Sequence, residues 1–257
     1  MARQARLESE TGYYHVMIRG INRENIFQTE QEKEKILTLV KEKTQEEPCK
    51  IVAYCIMNNH LHMIIHAEKA ILVRVMKRIN ISYAMSYNQR NKRIGPVFQD
   101  RFRSENIETE KYLFGAIRYI HNNPVQAGIT TKAQEYKWSS MREYIDNVKL
   151  LIDKETKEGL LKEFISIDDF KNFHEIEDET DYLEIKEEVR ELKTNKAQKV
   201  IEEYFSKKGI ADARQLKNRD ELIIKLLDET GLSYRKIAEL TGITVSMVHQ
   251  ANKKYRP

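Results

Sequence analysis

Residues 13–20 alternate loosely between apolar and polar positions and are rich in Tyr, Val and Ile, which predicts a strand ended by Gly20 and Asn22. The Glu/Lys-rich stretch 29–46 opens on Thr29 as an N-cap, turns Ile36, Leu37 and Val40 inward at helical spacing, and is stopped by Pro48. Residues 50–57 predict a second strand. Asn58-Asn59 can turn the chain, and 60–66 return as a third strand, giving a hairpin. Ile71, Val75, Ile79 and Tyr83 recur at helical spacing across 69–90. After a loop at Arg93-Ile94-Gly95-Pro96, a short strand is expected over 97–107. Thr109 then caps a helix of about 110–122, which Asn123-Pro124 is expected to end, because a residue before proline avoids the helical region. The order β-α-β-β-α-β-α predicts an α+β domain, an antiparallel sheet with packed helices.

The pattern changes after residue 148. Residues 149–185 are acidic and helix-prone, and Glu175 through Asp181 reads as a solvated connector. From 186 to 257 several helices follow. Ser233 caps one that contains Ile237, Ala238 and Leu240; Thr241-Gly242-Ile243 makes a turn; Thr244 caps another through about Lys254. Ala238, Gly242 and Val248 have the spacing of a helix-turn-helix: alanine permits close crossing, glycine a positive φ, and valine packs the second helix. An ordinary helical hairpin is the alternative. The expected organisation is therefore a domain over 1–148, an acidic linker over 149–185 and a helical helix-turn-helix domain over 186–257.

Charge follows the same division. Residues 1–148 carry 23 basic against 17 acidic side chains, 149–191 carry 7 against 15, and 192–257 carry 14 against 8. Arg74, Lys77, Arg78, Arg90, Lys92, Arg93, Arg101 and Arg103 face Asp100 alone within 74–103, a density that suits a polyanion. A solvated helix face is the competing explanation. Cys49 and Cys55 form neither a metal knuckle nor a disulfide framework and read as reduced, packed thiols. No apolar run approaches the ~20 residues of a membrane helix, and residues 1–6 lead into no apolar signal segment, so the chain is expected in the cytoplasm with no membrane partner.

The chemistry is concentrated in two short stretches. His60-Leu61-His62 lies in a strand, where alternate side chains share a face, so two imidazoles can converge on one metal ion. Tyr119 and Asn123, four residues apart, share one stripe of a helix. Brought together, they supply the parts of a metal-assisted tyrosine nucleophile. His121 is turned away from that stripe and reads as structural or as a phosphate contact. Tyr112 lies near the stripe seven residues earlier. His15 and His66 read as strand histidines.

The ordered set Tyr14-His15-Val16-Met17-Ile18-Arg19-Gly20, Asn22-Arg23, Ile26-Phe27, Met57 through Ile65, Phe98-Gln99-Asp100-Arg101-Phe102, Tyr119 through Val125 and Trp138-Ser139-Ser140 resembles the HUH single-tyrosine transposases, and most closely the REP-associated tyrosine transposases. The resemblance covers roughly residues 12 to 146. It implies the HUH fold, ferredoxin-like or RRM-like, and an endonuclease and strand transferase of single-stranded or hairpin DNA. By motif match it makes Tyr119 the catalytic nucleophile, forming a 5′-phosphotyrosine link. It makes His60 and His62, with Asn123, the ligands of Mg²⁺ or Mn²⁺; imidazole spacing alone does not select that metal. Arg19, Arg23, Arg101 and Arg103 are candidate phosphate contacts, with surface charge as the alternative. Gln250 and Lys253, with Ser246, Met247 and His249, are outward-facing candidates on the last helix, where duplex DNA could bind. One nucleophile makes one covalent link at a time, so monomer and homodimer both stay open. The rivals are a replication or conjugation nickase and a non-catalytic DNA-binding regulator on the same scaffold.

Overall fold

The computed structural model describes residues 7–146, 148–176, 182, 186–208 and 219–255, and the chain divides into two compact units, Met1–Leu183 and Glu184–Pro257. In the first unit the elements run β1 (Tyr13–Arg19), α1 (Glu30–Gln45), β2 (Lys50–Ile56), β3 (His60–His66), α2 (Lys69–Arg90), β4 (Arg103–Ile107), α3 (Glu110–Gln126), α4 (Met141–Ile145), α5 (Lys154–Leu161) and α6 (Ile167–Phe173). The four strands form one antiparallel sheet in the order β2-β3-β1-β4.

Local chemistry explains most boundaries. Thr29 starts α1 with a capping box, its hydroxyl accepting from the Glu32 amide while the Glu32 carboxylate accepts from the Thr29 amide. The β2–β3 connection is the expected two-residue turn, closed by Met57 N–H donating to the His60 carbonyl at 2.9 Å. Gly20 ends β1 where a Cβ would meet the Glu24 carbonyl oxygen at 2.3 Å, so only glycine permits the backbone to double back there.

Register divides the sheet into two faces. Pairing His15 with Ile64, Met17 with His62 and Arg19 with His60 puts these side chains on one side. The other side carries Tyr14, Val16 and Ile18 of β1 with Leu61, Met63 and Ile65 of β3, all buried. They share one core with Ile36, Leu39 and Val40 of α1 and Ile71, Val75, Ile79 and Tyr83 of α2. Helix α3 packs against β2 and β3.

Three expectations are corrected. The strand within 97–107 is confined to Arg103–Ile107, and Phe98 makes only an isolated bridge to Gly20. Pro124 does not end α3, which runs on to Gln126. A proline so near a C-terminus sacrifices little of the helical ladder, Ala127 N–H still reaches the Asn123 carbonyl at 3.0 Å, and Gly128 with φ 69° makes the stop. Asn123 therefore stays in helical phase with Tyr119.

The third concerns 149–185, which is not a solvated linker over its described part. The buried Glu143 carboxylate accepts the amides of Leu150, Leu151 and Ile152 at 2.7, 2.9 and 3.0 Å, folding the chain back onto the unit. Asp153 and Ser166 cap α5 and α6. Ile152, Leu160, Phe170 and Tyr182 are buried in the same core as the sheet. The negative charge lies largely on exposed positions, and composition averaged over a segment conceals which face each residue takes. Of the connector read at 175–181, residues 177–181 lie outside the described residues.

The second unit contains α7 (Lys186–Lys208), α8 (Arg219–Thr230), α9 (Tyr234–Thr241) and α10 (Val245–Tyr255). Ala197, Val200, Ile201, Leu222, Leu226, Ile237, Ala238, Val248 and Ala251 belong to its core. Gly242 takes φ 71° and its amide reaches the Ala238 carbonyl, so the α9–α10 turn has the conformation its sequence predicts. No helix among the described residues is long and apolar enough to cross a membrane.

Candidate active site

Two β3 side chains and one α3 stripe meet at the middle of the sheet. His60 and His62 are almost fully buried, and their ring centroids lie 4.9 Å apart. Tyr119 projects from α3 with its ring edge-on to His62 at 5.7 Å, and remains half-buried. One helical turn on, Asn123 is buried with its Oδ1 3.2 Å from His60 Nε2. The four residues singled out as nucleophile and ligands are thus brought together.

Proton accounting shows what this cluster can hold. His60 Nδ1 lies 2.7 Å from Asn59 Oδ1, an atom that only accepts, so the imidazole hydrogen sits on Nδ1. Nε2 then presents a lone pair, and the atom facing it, Asn123 Oδ1, is also an acceptor. A cation between them would satisfy both. Rotating the Asn123 amide would bring Nδ2–H to the same nitrogen instead. His62 Nε2 and Asn123 Nδ2 are buried with no hydrogen-bond partner among the described residues. Burial holds His62 well below the usual imidazole range, with smaller contributions from His60 and His15, so its ring is neutral and has a lone pair to give. Among the described residues no three His, Cys, Asp or Glu side chains form a metal cluster. The donor set is two neutral imidazoles and an amide, which suits a cation that takes its remaining ligands from a phosphate.

His15 is the residue of this face that sequence reasoning passed over. Its Nε2 lies 3.0 Å from His62 Nδ1, and its centroid 6.0 Å from that of Tyr119. Burial pushes it down to about 3. The signal for it was antiparallel register, which a single strand does not contain. Tyr182 was missed too: it stacks on Tyr119 at 5.2 Å and lies 5.3 Å from Tyr112.

The remaining candidates separate by environment. Tyr112 donates to Glu105 Oε2 at 2.7 Å, and burial together with that carboxylate raises its pKa. Arg19 is buried opposite His60, whereas Arg23, Arg101 and Arg103 are exposed. Within the basic stretch 74–103, Arg74 pairs with Glu47, Arg78 with Glu46 and Arg93 with Glu24, so its density overstates the charge offered to a ligand. Gln250 and Lys253 are exposed on α10, as are Ser246 and His249, while Met247 is half-buried.

His121 is fully buried and both its ring nitrogens are engaged inside the protein, so its role is structural. Neutral rings fix a one-way chain of hydrogen bonds. His174 Nδ1–H donates to the Phe170 carbonyl at 2.7 Å and His121 Nδ1–H to His174 Nε2 at 2.8 Å. The Ser140 hydroxyl donates to His121 Nε2 at 2.8 Å, and its oxygen accepts the Tyr54 amide at 2.8 Å. Burial lowers both imidazoles. The chain ties α3, which carries Tyr119, to both α6 and β2.

Residues 8–123 match the family model described as "Transposase IS200 like". Among solved structures, the REP-associated tyrosine transposase bound to a REP hairpin is similar with a TM-score of 0.46 and 17% identity, covering 56% of this chain and 86% of that one. A candidate transposase from Deinococcus radiodurans R1 gives 0.33 and 12%, covering 48% and 95%. No functionally curated protein matches the sequence. The family match runs from just before β1 into α3 and ends at Asn123, so it takes in both histidines, Tyr119 and the amide between which the site is built: over residues 8–123 this chain is similar to the IS200-like transposases.

Proposed function

We propose that the first unit nicks and rejoins single-stranded or hairpin DNA through Tyr119, with His60, His62 and Asn123 holding Mg²⁺ or Mn²⁺. The observation that supports this most is the close approach of His60 Nε2 and Asn123 Oδ1, beside a buried His62 Nε2 with no hydrogen-bond partner among the described residues and one turn from a half-buried tyrosine. When bound, the cation would polarise the scissile phosphate and offset charge in the in-line displacement. Tyr119 Oη attacks phosphorus, the P–O3′ bond breaks, and the phenolic hydrogen ends on the departing 3′-OH, leaving a 5′-phosphotyrosine. Reversal with another 3′-OH rejoins a strand. A free phenol titrates near ~10, so the ordering of Tyr119 against His62 must be matched by help with its proton at neutral pH. Arg19 and Arg103, on this face by register, and the exposed Arg23 and Arg101 would supply phosphate contacts.

The second unit is read as a duplex-DNA contact, supported by buried Ala238 and Val248, the left-handed Gly242, and exposed Gln250 and Lys253 on α10. The test is cleavage of labelled hairpin DNA with Mn²⁺ by wild type and Tyr119→Phe. The wild type should form a covalent adduct mapping to Tyr119, and the variant should fold, bind and not cleave. An adduct on Tyr112 or another tyrosine, or cleavage by the variant, overturns the reading.

A further inference from the structure

Accepting His62 as a cation ligand, we propose that His15 is a positioning residue that decides whether His62 can serve as one. His15 in β1 and His62 in β3 are diagonal neighbours on one face, buried, with ring centroids 5.2 Å apart. Only one hydrogen fits between His15 Nε2 and His62 Nδ1, which lie 3.0 Å apart. If His15 donates it, the hydrogen of neutral His62 must sit on Nε2, where it points into the site and repels a cation. If His62 donates it, Nε2 presents a lone pair.

Among the described residues, no hydrogen bond to either ring makes the choice. His15 Nδ1, like His62 Nε2, is buried without a hydrogen-bond partner among the described residues, so each arrangement of the cation-free pair leaves one N–H and one lone pair unpaired there. His60 differs, because Asn59 Oδ1, 2.7 Å away, accepts its Nδ1–H. One ligand thus has an acceptor that favours the binding tautomer, and the other is poised between two. His15 supplies the acceptor that makes the binding tautomer of His62 available, in the place where metal-bound histidines ordinarily have a carboxylate or carbonyl.

The experiment measures Mn²⁺ affinity by EPR titration for wild type, His15→Leu, His15→Gln and His62→Ala, with thermal melts to confirm folding. The His62 tautomer is read in parallel from long-range ¹⁵N–¹H correlations with and without Mg²⁺. The dissociation constant should rise about tenfold or more in His15→Leu, the scale of lost outer contacts to metal ligands. It should return close to wild type in His15→Gln, whose amide oxygen can accept from Nδ1. Mg²⁺-loaded wild type should carry the His62 hydrogen on Nδ1. If His62→Ala binds Mn²⁺ as wild type does, the ligand assignment itself fails. If His62→Ala loses binding while folded His15→Leu keeps it unchanged, only the role of His15 is overturned. Should His15→Leu not fold, a His62 hydrogen on Nε2 in Mg²⁺-loaded wild type overturns it equally.

Discussion

Acidification should weaken the attachment of the helix that carries Tyr119, and His174 lets the effect be sized. It is almost fully buried, and burial lowers it from the ordinary 6.5 to about 4, with Arg118 adding to the depression. A folded-state value below the unfolded one means that the unfolded chain takes up the proton first. The contribution is therefore fully present above pH 6.5 and is lost as pH falls toward 4. Carried to completion, the shift amounts to about 3 kcal/mol, of which about 2 kcal/mol falls between pH 7 and pH 5. Protonating His174 also turns its Nε2 from acceptor to donor against the Nδ1–H of His121, so the one-way chain from Ser140 to Phe170 breaks. Urea unfolding of residues 1–183 at the two pH values, for wild type and His174→Leu, isolates the term. The variant starts lower, because His121 loses an acceptor, but its further loss from pH 7 to pH 5 should be about 2 kcal/mol smaller than that of wild type. Equal losses in the two proteins would refute the argument, since His174 would then not be the proton-linked group.

Asn123→Leu keeps the helix and removes the oxygen facing His60, so Mn²⁺ binding and hairpin cleavage should fall together; cleavage unaffected by this change would exclude Asn123 as a ligand. A fragment ending at residue 183 should fold cooperatively, whereas one ending at 148 loses the burial of Leu160 and Phe170, about 2 kcal/mol each, and should melt markedly lower. Lys253→Ala should weaken duplex binding and reduce its salt slope by about 0.9 if the lysine meets a phosphate, while Gln250→Ala should leave the slope unchanged; identical binding in both variants would remove α10 from the interface.

Much of the site could be read from local sequence. Hydrophobic periodicity gave the alternation of strands and helices in the first unit, with β3 and α2 at their observed bounds. The His60/His62 spacing and the Tyr119/Asn123 spacing each specify one face of one element, because a strand repeats every two residues and a helix every 3.6. The helix-turn-helix spacing likewise gave the left-handed Gly242. Relations between elements were decided by tertiary structure. His15 joins His62 only through the β1–β3 register, which no single strand encodes. Pro124 reads as a stop, yet near the end of α3 it costs one ladder bond at most, and the packing of Ile117, Ile120 and Asn123 carries the helix through it. The acidic stretch after 148 reads as solvated because its charges dominate the composition. Its inward residues, Ile152, Leu160 and Phe170, together with the Glu143 carboxylate and the His121–His174 contact, bind it to the first unit. Burial is a property of the face a residue occupies, and that face is settled only when distant segments pack.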